Sequence, residues 1–143
     1  MARDKKTSDK DGGLDQSPIH LMHRALQLAL DIYGEAHGPD GLTQRQFAVL
    51  ETVSRQPGLT QSDLVKATGI DRSTLADLVS RMTTKGLLKR ARSPIDARAM
   101  TVDLSEAGHQ ALVEARPKVA SVDKRILSLL PKNKRNSFMD LLT

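Results

Sequence analysis

Residues Arg92–Gly108 read RSPIDARAMTVDLSEAG. Ser93-Pro94 starts a turn, because proline presets φ and a serine hydroxyl bonds nearby backbone. Beyond it Met100, Val102 and Leu104 alternate with Ala99, Thr101 and Asp103, the period of a strand. Ser105 then stands where a helix N-cap belongs. On the near side GLLKRAR, Gly86–Arg92, is a second short strand. A hairpin tip that only has to reverse the chain needs turn formers. This one adds Asp96 and Arg98, with Lys89, Arg90 and Arg92 on the incoming strand, so its charges call for a partner.

What precedes the hairpin says what kind. In LTQSDLVKATGIDRSTLADLVSRMTTKG, Leu59–Gly86, Thr60 is an N-cap with Asp63 three residues on, a capping-box pair with Asp in place of the usual Glu. Leu59 and Leu64 take the staple positions around it. After a turn at Thr68-Gly69 the device repeats, with Asp71 as cap and Ile70 and Leu75 as staple. Two short stapled helices joined by a tight glycine turn are a helix-turn-helix. Leu75, Leu78, Val79 and Met82 form the buried side of the second. Arg72, Ser73, Thr74, Asp77 and Arg81 are left for solvent or a groove. A hairpin directly after such a pair makes a winged helix-turn-helix of mainly α (α+β) class, about six helices with a two- to three-stranded wing.

The rest of the chain frames this lobe. Residues 1–16 are polar and charged and read as a disordered tail. Ser17-Pro18 opens a first helix that closes at Gly38-Pro39. Its stripes, Ile19/Met22/Leu26/Ala29/Tyr33 and Leu21/Ala25/Leu28/Ile32, make an apolar arc wider than one small domain covers, so it packs on its own domain and on a partner. Thr43 caps a second helix with Phe47, Val49, Leu50 and Val53 inward. After the hairpin, Gly108, Leu112, Ala115, Val119, Val122, Ile126 and Leu129 fall on unbroken four-three spacing, a coiled-coil-like seam. Pro117 should bend that helix near Val113 without ending it. Pro131 ends it, and a short amphipathic helix with Phe138, Leu141 and Leu142 follows. Residues 17–143 thus read as one unit, a central lobe at 41–104 framed by helical segments at 17–40 and 105–143.

Composition narrows the partner. The chain has 143 residues and no cysteine, which removes thiol catalysis, disulfides and cysteine-ligated zinc. No apolar run approaches a membrane span and MARDKKTSDKDGG has no secretory h-region, so a cytoplasmic protein is the expectation. No Gly-rich phosphate loop, nucleophile elbow or carboxylate pair beside a histidine points to an enzyme. Between positions 81 and 98 six cations, Arg81, Lys85, Lys89, Arg90, Arg92 and Arg98, face one carboxylate, Asp96. Such a cluster fits a polyanion, or else a solvated charged face. With Tyr33, Phe47 and Phe138 as the only aromatics there is no stacking platform for unpaired bases, which leaves duplex DNA.

The tip then has a mechanical role. With the second helix-turn-helix element in a major groove, the hairpin reaches an adjacent minor groove, narrow and electronegative, where a long cation fits. Arg98 supplies it, and Asp96 is placed to hold that guanidinium by a bidentate contact. Arg90 and Arg92 meet phosphates, and Thr60, Gln61 and Ser62 at the start of the preceding short helix join the contact set. Asp77 either accepts from cytosine N4 or pairs with Arg81 four residues on and aims it at guanine.

DARAMTVDLSEAG resembles the wing signature of the MarR family of bacterial transcription regulators, through Asp96, Arg98, Leu104, Ser105 and Gly108. DRSTLADLVSRMTTKGLLKR resembles the family's recognition helix and first wing strand. The similarity runs from about Ser17 to Thr143. It departs at Asp77, where the family often has a basic or hydroxyl side chain, and in a short last helix. The resemblance implies a homodimer with interlocked first and last helices, two wings straddling a palindromic operator, and repression relieved by an aromatic or phenolic acid or its CoA thioester. The implied ligand site lies where the first, second and long fifth helices meet, which here holds His20, His23, Arg24, Phe47, His109 and Arg116. No cofactor is implied. A metal-responsive regulator of the same fold is weakened by the absence of cysteine and of a second histidine one turn from His109. A winged helix used only as a protein-interaction module would tolerate loss of Arg98 and show little salt dependence.

Overall fold

The computed structural model describes residues 13–96 and 98–143. The tail expectation for residues 1–12 lies outside them, whereas Leu14–Gln16 form a 3-10 turn. Then come α1 (Pro18–His37), α2 (Gln44–Arg55), β1 (Leu59–Thr60), α3 (Gln61–Thr68), α4 (Arg72–Thr84), β2 (Leu88–Arg92), β3 (Met100–Leu104), α5 (Glu106–Ser128) and α6 (Arg135–Leu142).

Local chemistry fixes most boundaries. Thr43 and Thr60 make full capping boxes with Gln46 and Asp63, and Asp71 and Ser105 accept from the backbone N–H of Thr74 and Gly108. Ser17 is the exception: its side chain makes no cap bond, and Pro18 at N1 starts α1. Gly69 adopts a left-handed φ of 70°, which ends α3 and turns the chain into α4. Pro117 sits inside α5, which continues to Ser128.

The three strands form an antiparallel sheet in the order β1-β3-β2. Leu59 pairs with Val102, and Leu88 through Arg92 pair with Leu104 back to Met100. The inward face of β3 differs from simple alternation. Val102 is buried as expected, but Met100 is 44% exposed while Thr101 is buried. Met100 faces Arg92 at the open end of the ladder; Thr101 lies between Thr60 and Ala91 and donates its hydroxyl to the Ala91 carbonyl at 3.2 Å.

Two cores result. Val49, Leu50, Val53, Leu64, Leu75, Val79, Met82, Leu88, Val102 and Leu112 fill the lobe built from α2–α4, the sheet and the first turns of α5. Ile32, Tyr33 and Val122, with Val119 and Ile126, join α1 to the far half of α5. Most of the apolar arc of α1 stays outside both. Ile19, Met22, Leu26 and Leu28 are each more than half exposed. No helix among the described residues is long and apolar enough to cross a membrane.

Candidate nucleic-acid interface

Along α4, burial of Leu75, Val79 and Met82 turns Arg72, Ser73, Asp77 and Arg81 to solvent. Thr74 is half-buried and already engaged: its hydroxyl donates to Asp71 at 2.6 Å and its N–H at 2.9 Å. These bonds, side chain first, hold the Asp71 carboxyl below its usual range. Thr60 is likewise committed to Asp63, whose pKa is lowered by bonds from the Thr60 backbone and hydroxyl. Of the open alternatives for Asp77, the structure adopts the pairing, with Arg81 Nε 3.0 Å from its carboxylate on an exposed surface.

The wing tip is held by its own backbone. Ser93 Oγ accepts from the N–H groups of Ile95 and Asp96, the Ser93 N–H donates to the Ala99 carbonyl, and the Ala99 N–H donates to that of Asp96. Asp96 does not clasp the Arg98 guanidinium as expected. Its Oδ1 accepts from the Arg98 main-chain N–H at 3.0 Å, and no Asp96–Arg98 ion pair is among those formed by the described residues. A carboxylate two residues before an N–H closes an Asx turn with no side-chain ordering on the arginine, so this wins over the bidentate contact. Arg90, Arg92 and Arg98 are exposed. Thr60, Gln61, Ser62 and Arg90 line one cleft of about 470 Å³ with Met100 and Val102. Four sequence-predicted contacts, from β1, α3 and the distant β2, thus meet in one concavity.

The proposed effector residues are more dispersed. Phe47 packs against the lobe core; His23, Arg24 and His109 are exposed, and His20 is half-buried. Arg116 bonds Glu51 at 2.9 Å and Ser54 at 3.2 Å, bracing α5 on α2. Burial opposes ionisation of Glu51, but Arg116 and Arg55 outweigh it and lower its pKa. None of the six lines the wing cleft or the large apolar groove described next. Among the described residues no cluster of three or more His, Asp or Glu side chains is placed to hold a metal ion.

Sequence reasoning misses His37. Buried at the end of α1, it stacks on Tyr33 with ring centroids 3.8 Å apart, and its Nδ1 lies 3.0 Å from the Tyr33 carbonyl. Tyr33 donates its hydroxyl to Leu42 at 2.8 Å, and burial pushes its pKa up to about 12. The pair ties α1 to the segment leading into α2. The i,i+4 spacing ahead of Gly38 was the available signal. Beside this joint, α1, α5 and α6 enclose a groove of about 810 Å³, apolar except for Asp123. Burial raises the Asp123 pKa.

Residues 40–99 match the model of the MarR family. The transcriptional regulator HosA of Escherichia coli O111:H- is 36% identical over 104 residues, 73% of this chain and 76% of HosA. Among solved structures, Bordetella bronchiseptica BpsR, described for regulation of its DNA binding by 6-hydroxynicotinic acid, superposes with a TM-score of 0.86 at 28% identity, covering 91% and 93% of the two chains. The transcriptional repressor CouR bound to a 23-mer DNA duplex gives 0.81 at 27%, covering 92% and 93%, and CouR from Rhodococcus jostii RHA1 bound to p-coumaroyl-CoA gives 0.76 at 26%, covering 92% of each chain. A winged helix-turn-helix with six α-helices and a three-stranded sheet among the described residues, matched at this level over most of its length, is a transcriptional regulator, and the chain belongs to the MarR family.

Proposed function

We propose that the chain is a homodimeric repressor that binds an inverted-repeat operator and releases it on binding a small aromatic acid or its CoA thioester. The observation that carries the DNA reading is the joint exposure of Arg72, Ser73 and Arg81 on α4 and Arg90, Arg92 and Arg98 on the wing, with the cleft between wing and α3. A recognition helix in the major groove and a cationic tip in the neighbouring minor groove use both. Two-fold half-sites would then be centred about one helical turn, ~10 bp, apart. The effector class is supported by what BpsR and CouR are described with, 6-hydroxynicotinic acid and p-coumaroyl-CoA. The helices α1, α5 and α6 (residues 17–40 and 105–143) supply the dimer, and residues 41–104 the DNA lobe.

A shift assay on the DNA upstream of its own gene, repeated with aromatic acids and their CoA thioesters, tests the whole reading. Retention of the shifted band with every acid and thioester would remove the effector class. Absence of any salt-sensitive shift would favour a protein-interaction module.

Arg98→Ala should weaken binding across many sequences and reduce the slope of log affinity against log salt by about one unit. An unchanged slope on A·T-flanked duplexes would rule out the wing contact.

Asp77→Ala separates orientation from stability. The exposed pair contributes little to folding, so unfolding free energy should move by less than about 0.5 kcal/mol. Guanine discrimination, which rests on a positioned Arg81, should fall about threefold to tenfold. Unchanged selectivity across guanine-substituted duplexes would refute the positioning role.

A further inference from the structure

The wing carries one side chain that its charge does not explain. Ile95 is 96% exposed, the most exposed of the large apolar residues in the described chain. Single exposed apolar side chains are common on protein surfaces. Ile95 differs in how it is held. It follows Pro94, its own N–H is bonded to Ser93 Oγ at 3.2 Å, and the next N–H, of Asp96, bonds the same oxygen at 3.3 Å. Across the tip, Ser93 and Asp96 are both tied to Ala99 through the backbone. These bonds hold Ser93, Ile95, Asp96 and Ala99 in place, with a branched alkyl group exposed at the tip of a wing that also exposes Arg90, Arg92 and Arg98.

Cations around an apolar apex match one surface in particular. The minor groove of duplex DNA has phosphate rims that attract the arginines and a floor of stacked base edges against which an alkyl wedge leaves water. A protein partner with an apolar pocket would have no need of the arginines. A purely electrostatic wing would place a polar residue at its tip.

Resting on the DNA-binding reading above, we infer that Ile95 is an apolar wedge that enters the minor groove beside Arg98 and partly opens one base-pair step on each side of the operator. The wedge makes the wing a reader of deformability. Pyrimidine–purine steps, which unstack most readily, are favoured at the flanking positions that α4 does not reach. Pro94 and the Ser93 bonds serve to keep the apex from folding back under load.

The test compares full-length wild type, Ile95→Ser and Ile95→Leu on a randomised duplex library, then on the recovered duplexes with a fluorescent adenine analogue at the flanking steps. The wild type should enrich pyrimidine–purine steps outside the half-sites and brighten the analogue on binding. Ile95→Ser should keep the half-sites, lose the flanking preference and the brightening, and bind about tenfold more weakly. Its salt slope should stay at the wild-type value, because no charge is removed. Ile95→Leu should retain most of all three. If the wild type enriches half-sites without brightening, or Ile95→Ser matches the wild type in affinity and flanking preference, the wedge is overturned while the regulator reading stands. If the wild type enriches no duplex at all, both fall.

Discussion

Leu26→Asp is expected to turn a dimer into a monomer and to lower operator affinity by about a hundredfold to ten-thousandfold. Leu26 is 58% exposed and lines the groove that α1, α5 and α6 form, with Met22, Phe138, Met139 and Leu142. It belongs to neither core, so the monomer keeps its fold. A second copy seated there would remove the groove from water, and an added carboxylate would have to be desolvated with it, at a cost of several kcal/mol. The groove already carries Asp123, whose pKa burial raises, and is otherwise apolar, so its lining offers no cation to the newcomer. The DNA consequence follows from valency. A monomer presents one α4 and one wing, and losing the tethered second contact removes a gain of about 10²–10⁴ in affinity. Sedimentation velocity and fluorescence anisotropy on one preparation decide it. A dimeric Leu26→Asp protein would locate the interface elsewhere, and a monomer of full affinity would show that one lobe suffices.

That groove also shows what a sequence discloses. The apolar arc of α1 was legible as an excess, because helical periodicity assigns faces without knowing the neighbours. Caps at Thr43, Thr60, Asp71 and Ser105 were legible for the same reason: the donor lies three residues away. The features that eluded sequence reading need a partner distant in sequence or two contacts equal in composition. β1 is two residues long and exists as a strand only because Val102 and Thr101 pair with it. Thr101 is buried by its central place in the sheet, which alternation within β3 cannot reveal. Asp96 had two hydrogen-bond donors of one residue to choose from, and the sequence names the residue but not the atom. Arg116 is expected beside a ligand at the helix junction, whereas Glu51, sixty-five positions away, engages it.

Gly108→Ala should lower stability by about 2–3 kcal/mol, although glycine to alanine inside a helix ordinarily stabilises by up to about 1 kcal/mol. Gly108 lies in the first turn of α5, where that helix meets the root of the wing. A Cβ there would overlap the Leu87 carbonyl oxygen and lie 2.9 Å from its carbon, so the obstacle is backbone and cannot rotate aside. The same Leu87 carbonyl accepts the Ser105 N–H at 3.1 Å, and the Ser105 hydroxyl donates to Gly86. Relieving the overlap therefore loosens the bonds that seat α5 on the strand leading into the wing. For a chain of this size the melting temperature should fall by about 5–10 °C. Gly34→Ala is the internal control, since nothing lies within 4 Å of a Cβ at that position in α1. It should raise stability by about 0.5–1 kcal/mol. Opposite signs for the same substitution in two helices would tie the loss to the Leu87 contact. If Gly108→Ala melts at or above the wild type, the close approach of α5 to the wing root is wrong, and with it the geometry that aims the wing at a groove beside α4.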